Sequence, residues 1–116
     1  IARRIRIPLN VNLNGENKSD NNKEIFCPIN DINSDIAFEL PVINYSEYNG
    51  MPYKFAYGVN NIYKIPFSVV KINMESGECL EHTFEEEGNH FLPTEPIFVK
   101  NPNSNEEDDG VLLVLV

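Results

Sequence analysis

The sequence predicts an all-β protein, and three observations carry that prediction. Apolar residues recur at every second position over short stretches. Turn-forming residues break those stretches at close intervals, with prolines at 8, 28, 41, 52, 66, 93, 96 and 102. No segment sustains a helical period. Short strands in meander order result, an arrangement that a sandwich, a barrel or a propeller accommodates.

The elements follow in order. Ile5, Ile7, Leu9, Val11 and Leu13 alternate with Arg6, Pro8, Asn10 and Asn12, the period of a strand with one wet face. Pro8 has no N–H to donate to a ladder, so this strand is expected at an edge or with a bulge. Residues 14–24, polar and rich in Asn, read as an exposed loop. A second strand is expected from Ile36 to Ile43, followed by a turn at Tyr48-Asn49-Gly50, because Asn-Gly tolerates positive φ. Tyr53, Phe55, Tyr57 and Val59 alternate again, with Gly58 weakening the far end. Val70, Ile72 and Met74, the turn Glu75-Ser76-Gly77-Glu78, and Leu80, His82 and Phe84 make a hairpin with its loop chemistry in place. Pro96 to Val99 and Gly110 to Val116 supply two further strands across an acidic loop, and the second reads as a buried strand stopped in its middle.

The 116 residues suffice for one small core, and 41% hydrophobic with 23% charged residues is ordinary for a soluble protein. The net charge of −9 repels a phosphate backbone, so no nucleic-acid partner is expected. Anionic membrane surfaces are disfavoured for the same reason. Cys27 and Cys79 stand far apart in no metal-ligand spacing and read as two thiols in a reduced compartment. No leader or spanning helix is legible. The chain opens at Ile1 and closes on an apolar run, which is read as a piece of a longer protein, cut at both ends.

Candidate chemistry is sparse. In the loop from Asn101 to Gly110, Asn101, Asn103 and Asn105 fit the first ligand positions of a calcium loop. Glu106 replaces its glycine, however, and Leu112 its closing glutamate. A solvated hairpin loop is the expectation. Glu85-Glu86-Glu87 before Gly88 reads as a solvated turn that also discourages edge pairing. His82 shares an alternating face with Leu80 and Phe84 and reads as a core histidine. His82 and His90 are the only imidazoles, with no third ligand beside them. No complete catalytic constellation is present, and no metal ligand is assigned.

Two stretches resemble the carotenoid oxygenases of animals. The first is Phe38-Glu39-Leu40-Pro41-Val42-Ile43-Asn44-Tyr45, then Tyr48-Asn49-Gly50-Met51-Pro52-Tyr53 and Tyr57-Gly58. The second is Pro93-Thr94-Glu95-Pro96-Ile97-Phe98-Val99, then Glu106-Glu107-Asp108-Asp109-Gly110-Val111-Leu112-Leu113. Lys71-Ile72-Asn73 to Gly77-Glu78 is similar to a blade hairpin of that family, and Arg3-Arg4 through Pro8-Leu9 to the strand before a variable loop. The Asn-rich loop and the residues around Asn89-His90 depart from the pattern.

The resemblance implies a seven-bladed β-propeller, of which residues 1–116 would be about two blades, a fragment of a single domain truncated at both ends. It implies ferrous iron, Fe(2+), held by four histidines outside this fragment, and cleavage of a carotenoid double bond by O2 to apocarotenal products. Alternatives are a retinyl-ester isomerohydrolase of the same family, and a propeller that binds without chemistry. Glu39 and Glu95 match carboxylates that orient iron-ligand histidines, which would fix the imidazole tautomer and raise its basicity. The competing reading is a surface glutamate at a strand start. Leu40 is carried over as a wall of the substrate tunnel. No ligand histidine matches a position here, so the fragment alone is expected to be inactive. The whole enzyme is expected in the cytoplasm or a mitochondrion; peripheral membrane association of the full-length protein is left open by this sequence.

Overall fold

The computed structural model describes residues 2–5, 29–60, 62 and 65–116. In these residues the fold is antiparallel sheet with one helical turn. Strands β1 (Ala2–Ile5) and β2 (Ile29–Asn33) pair with each other. Strands β3 (Glu39–Val42), β4 (Phe55–Asn60), β5 (Ser68–Asn73) and β6 (Cys79–Thr83) form a four-stranded meander in that order. The remaining pairs are β7 (Glu85–Glu86) with β8 (Asn89–His90), and β9 (Ile97–Lys100) with β10 (Gly110–Leu113). The all-β expectation holds. Of the strand expected from Ile5, only Ile5 lies within the described residues, as does none of the loop 14–24.

Alternation gives the meander two working faces. Ala56 pairs with Ile72, and both point to one side. With Met74 they form a buried cluster, against which Ile32 of β2, Phe38 and Ile43 pack. Tyr57 pairs with Lys71, one residue on, so both point to the other side. There the Tyr57 ring stacks on Phe98 of β9, with centroids 4.9 Å apart and planes 11° apart. Val59, Val70 and Ile72 are wholly buried, each worth about 1.5–3 kcal/mol of apolar burial. Other sheets therefore pack against both faces of the meander, β2 through Ile32 and β9–β10 through Phe98.

Gly58 does not weaken β4, as its composition suggests. A Cβ there would stand 2.7 Å from the Glu39 carbonyl oxygen and 2.9 Å from the Phe38 ring. Only a residue without a side chain lets β3 lie this close, and the strand runs on through Asn60. Gly110 serves the second sheet alike, its absent side chain leaving room for the Phe98 ring and the Val99 carbonyl.

Several expectations are corrected. Tyr45–Tyr48 forms a single helical turn, α1, closed by the Tyr48 N–H donating to the Asn44 carbonyl; four residues are too few to show a period. The strand expected from Ile36 begins at Glu39. Two pairings had no sequence signal: β2, and the β7–β8 hairpin, whose tip Glu87-Gly88 has φ of 52° and 80°. The Glu85–Glu87 cluster is exposed there, as expected. The apolar C-terminal run is not buried: β10 ends at Leu113, and Val111, Leu113, Leu115 and Val116 are exposed. On the other face of that hairpin Phe98 stacks on Tyr57, while Ile97, Val99, Val111 and Leu113 stay exposed. His82 is exposed rather than in the core, because β6 is an edge strand; its ring meets Phe84 edge-on at 4.9 Å.

Candidate functional site

Glu39 opens β3, an edge strand of the meander, and its side chain is exposed. Its position is fixed from three directions. Gly58 admits the strand on one side. Ahead of it, Asn60 Oδ1 accepts the Ala37 N–H at 3.0 Å. Behind it, the ladder slips between Glu39 and Val42, so that Leu40 and Pro41 form a bulge. Leu40 takes a left-handed backbone, φ 51°, which an L-residue adopts at a cost of about 1–2 kcal/mol. Bulges of this kind re-aim neighbouring side chains. Leu40 itself is 45% exposed.

The Asn60 that anchors this corner carried no sequence signal. It is 4% exposed, and its amide donates to Glu81 Oε2 at 3.2 Å, while the Ser68 hydroxyl donates to the same oxygen at 2.9 Å. A buried Asn and Ser are tolerated because Glu81, from the neighbouring strand, satisfies both.

Glu95 lies two residues ahead of β9, exposed between Pro93 and Pro96, both buried. Proline has no N–H to satisfy, so it seats there without an orphaned donor. The segment is pinned at Thr94, whose N–H donates to the Leu115 carbonyl at 2.9 Å and whose Oγ1 accepts the Leu115 N–H at 3.1 Å. Glu95 stands just before a strand, facing solvent. No hydrogen bond or ion pair joins Glu39 and Glu95 to each other or to another described side chain.

The acidic loop between β9 and β10 is not the solvated loop its composition predicts. Glu107 Oε1 accepts the backbone N–H groups of Lys54 and Phe55, each at 2.7 Å. The Glu107 carbonyl accepts from the Asn44 amide at 3.2 Å. Asn44 is 2% exposed. Asp108 accepts from the Lys71 ammonium, which lies 4.6 Å above the Phe55 ring. The Lys71 hydrogen bond holds the Asp108 carboxyl below its ordinary range, burial opposing it. Beneath them, burial pushes the Tyr57 hydroxyl above its ordinary value, and the Asp108 and Glu107 charges add to this. The signal available in the sequence was the even spacing of Phe55, Tyr57 and Val59, but not which loop would cover them.

Among the described residues no group of three or more His, Cys, Asp or Glu could hold a metal ion. His90 Nδ1 lies 3.8 Å from Glu85 Oε2, beyond hydrogen-bond length. A cavity of about 520 Å³ opens on the meander, walled by Phe55, Lys71, Asn73, Glu78, Cys79 and Leu80. Burial, helped by the Glu81 charge, pushes the Cys79 thiol up. Among the described residues no helix is long and apolar enough to cross a membrane.

The sequence profile of the family described as retinal pigment epithelial membrane protein matches residues 2–116. The chain is 32% identical to a mitochondrial carotenoid-cleaving dioxygenase of Mustela putorius furo over 98% of its own length and 24% of that protein. It is 42% identical to the beta,beta-carotene 15,15'-dioxygenase of Gallus gallus over 69% of its length and 14% of the relative. The Homo sapiens mitochondrial carotenoid-cleaving dioxygenase is 32% identical over 98% of the chain and 22% of the relative. The chain thus spans about a seventh to a quarter of the length of these relatives.

Proposed function

The chain belongs to the carotenoid oxygenase family, and from that we propose that it is part of an iron(II)-dependent dioxygenase that cleaves a carotenoid double bond with O2 to apocarotenal products. The observation that carries the reading is the match over residues 2–116, joined to the names of the relatives, which cleave carotenoids. Residues 1–116 would then be part of a single propeller domain. Separate antiparallel sheets packed on both faces of the meander are consistent with neighbouring blades. The mitochondrial names of relatives support an intracellular compartment.

The chain's own residues fit an outer role toward the iron rather than a ligand role. Glu39 and Glu95 are exposed carboxylates whose oxygens accept no hydrogen bond from a described side chain, so each has lone pairs for an imidazole N–H. Accepting that N–H would leave the other ring nitrogen unprotonated, and would hold the ring at a set angle. Iron, when bound, would supply the activation of O2. Leu40, apolar and exposed beside Glu39, would line the path of the polyene.

The test uses the protein that carries this chain, purified with iron(II) and given β-carotene or a retinyl ester, with products separated by chromatography. Aldehyde products from β-carotene are expected. Glu39→Gln and Glu95→Gln should each lower iron affinity about 10- to 100-fold. Retinol of altered double-bond geometry from the ester, with β-carotene untouched, would replace this reading by the isomerohydrolase. No product from either substrate in an iron-loaded sample would leave a binding propeller.

A further inference from the structure

The acidic loop makes contacts that a spacer between two strands does not need. Its shape is built internally: the Asn101 N–H donates to the Asp109 carbonyl at 2.9 Å, the Asn101 amide to Asp109 Oδ2 at 3.0 Å, and the Glu106 N–H to the Ser104 hydroxyl at 3.1 Å. That frame presents Glu107 and Asp108 to the meander and leaves Glu106 exposed. Glu107 then closes on two places at once. Its carboxylate takes the N–H groups of Lys54 and Phe55 at the start of β4, and its carbonyl takes the amide of Asn44, two residues beyond the end of β3. Asp108 takes the Lys71 ammonium from β5. A carboxylate that accepts two backbone N–H groups is directional, because both lone-pair directions are fixed by a rigid strand start.

These contacts join the two segments that carry Glu39 and Glu95. Glu39 lies on β3, whose exit is held through Asn44. Glu95 lies just ahead of β9, whose hairpin partner begins one residue after Asp109. We propose that Glu107 and Asp108 are positioning residues: they set the β9–β10 hairpin on the meander and so fix Glu95 relative to Glu39. This rests on the outer role proposed above for those two carboxylates. Neither Glu107 nor Asp108 need approach iron or substrate. A hairpin released from the Lys54–Phe55 donors can pivot about the Tyr57–Phe98 stack, which resists separation of the sheets but not sliding.

The experiment compares Glu107→Ala, Glu107→Gln and Asp108→Asn with Glu106→Gln in the iron-loaded protein that carries this chain. Iron(II) dissociation, the ferrous-site spectrum, and kcat and KM are read separately, with Tm as the check on folding. Glu107→Ala is expected to weaken iron retention about tenfold, shift the spectrum, and lower kcat with KM unchanged. Glu107→Gln, which keeps an acceptor oxygen, should recover most of this, Asp108→Asn should fall between, and Glu106→Gln should match wild type. Should Glu107→Ala not fold, Glu107→Gln and Asp108→Asn carry the comparison. A lowered Tm with iron affinity and spectrum as in wild type would overturn the proposal and leave a purely structural clamp. Glu39→Gln and Glu95→Gln run alongside separate the two ideas. If they leave iron affinity unchanged, the outer role itself fails. If they weaken it and the loop variants do not, only the positioning proposal fails.

Discussion

Leu40 shows how much of this site is backbone rather than side chain. Its left-handed φ of 51° comes with a half-exposed side chain, so packing does not explain the conformation. The bulge it forms is what turns β3 beside Glu39. Glycine at 40 would relieve about 1–2 kcal/mol of left-handed strain and lose about 0.4–1 kcal/mol through a freer unfolded chain. Leu40→Gly is therefore expected close to wild type in chemical denaturation, or slightly more stable. Leu40→Val should lose about 1–2 kcal/mol, since a β-branched residue tolerates positive φ least. Equal midpoints for the two variants would contradict the strain argument. Glu39 and Leu40 were singled out in the sequence by the motif that contains them. The bulge was not, because Leu-Pro carries no signature for a left-handed residue.

At the scale of elements, the acidic loop is where composition misled. Five of its ten residues from Asn101 to Gly110 are acidic or glycine, which by itself argues for solvent, yet two of its carboxylates are docked on a sheet. The Lys71–Asp108 pairing gives the docking a pH dependence. Asp108 is held below its ordinary pKa, first by the Lys71 hydrogen bond. Its contribution to stability is therefore complete above the unfolded value, about 3.9, and is lost as pH falls through the lower folded value. Wild type and Asp108→Asn should differ in Tm at pH 7, and the difference should shrink on acidification below about pH 4. A gap that stayed constant down to pH 2 would mean the Lys71 pairing contributes nothing. The pairing and turn of the hairpin β5–β6, by contrast, were readable, because Glu75-Ser76-Gly77-Glu78 and the flanking alternation agree with each other; the burial of its second strand was not, since Leu80 and His82 are exposed.

For the whole molecule, the outer face of β9–β10 governs association. Ile97, Val99, Val111 and Leu113 form cross-strand pairs on one face of that hairpin, and all four are exposed. The opposite face carries Phe98 against Tyr57. An apolar sheet face of this kind associates in water unless something covers it. The 116-residue polypeptide, made by itself, is expected to elute as oligomers in size-exclusion chromatography at micromolar concentration. Val99→Lys with Val111→Glu should shift it toward monomer. A monomeric wild-type polypeptide would show that the exposed face is tolerated.

The sequence by itself determined the class of fold, the hairpin of β5 and β6, and the family, since period-two alternation, turn chemistry and short motifs are local properties. It also named Glu39, Leu40 and Glu95, because each lies inside a motif. Tertiary structure alone decided that Gly58 is a point of close approach rather than a weak end, that His82 is exposed on an edge strand, and that Asn60, Glu81, Glu107 and Asp108 hold the strands in place. Each of those depends on what a residue meets across tens of positions of chain, and a hydrogen bond between Glu107 and Lys54 leaves no trace in the spacing of either.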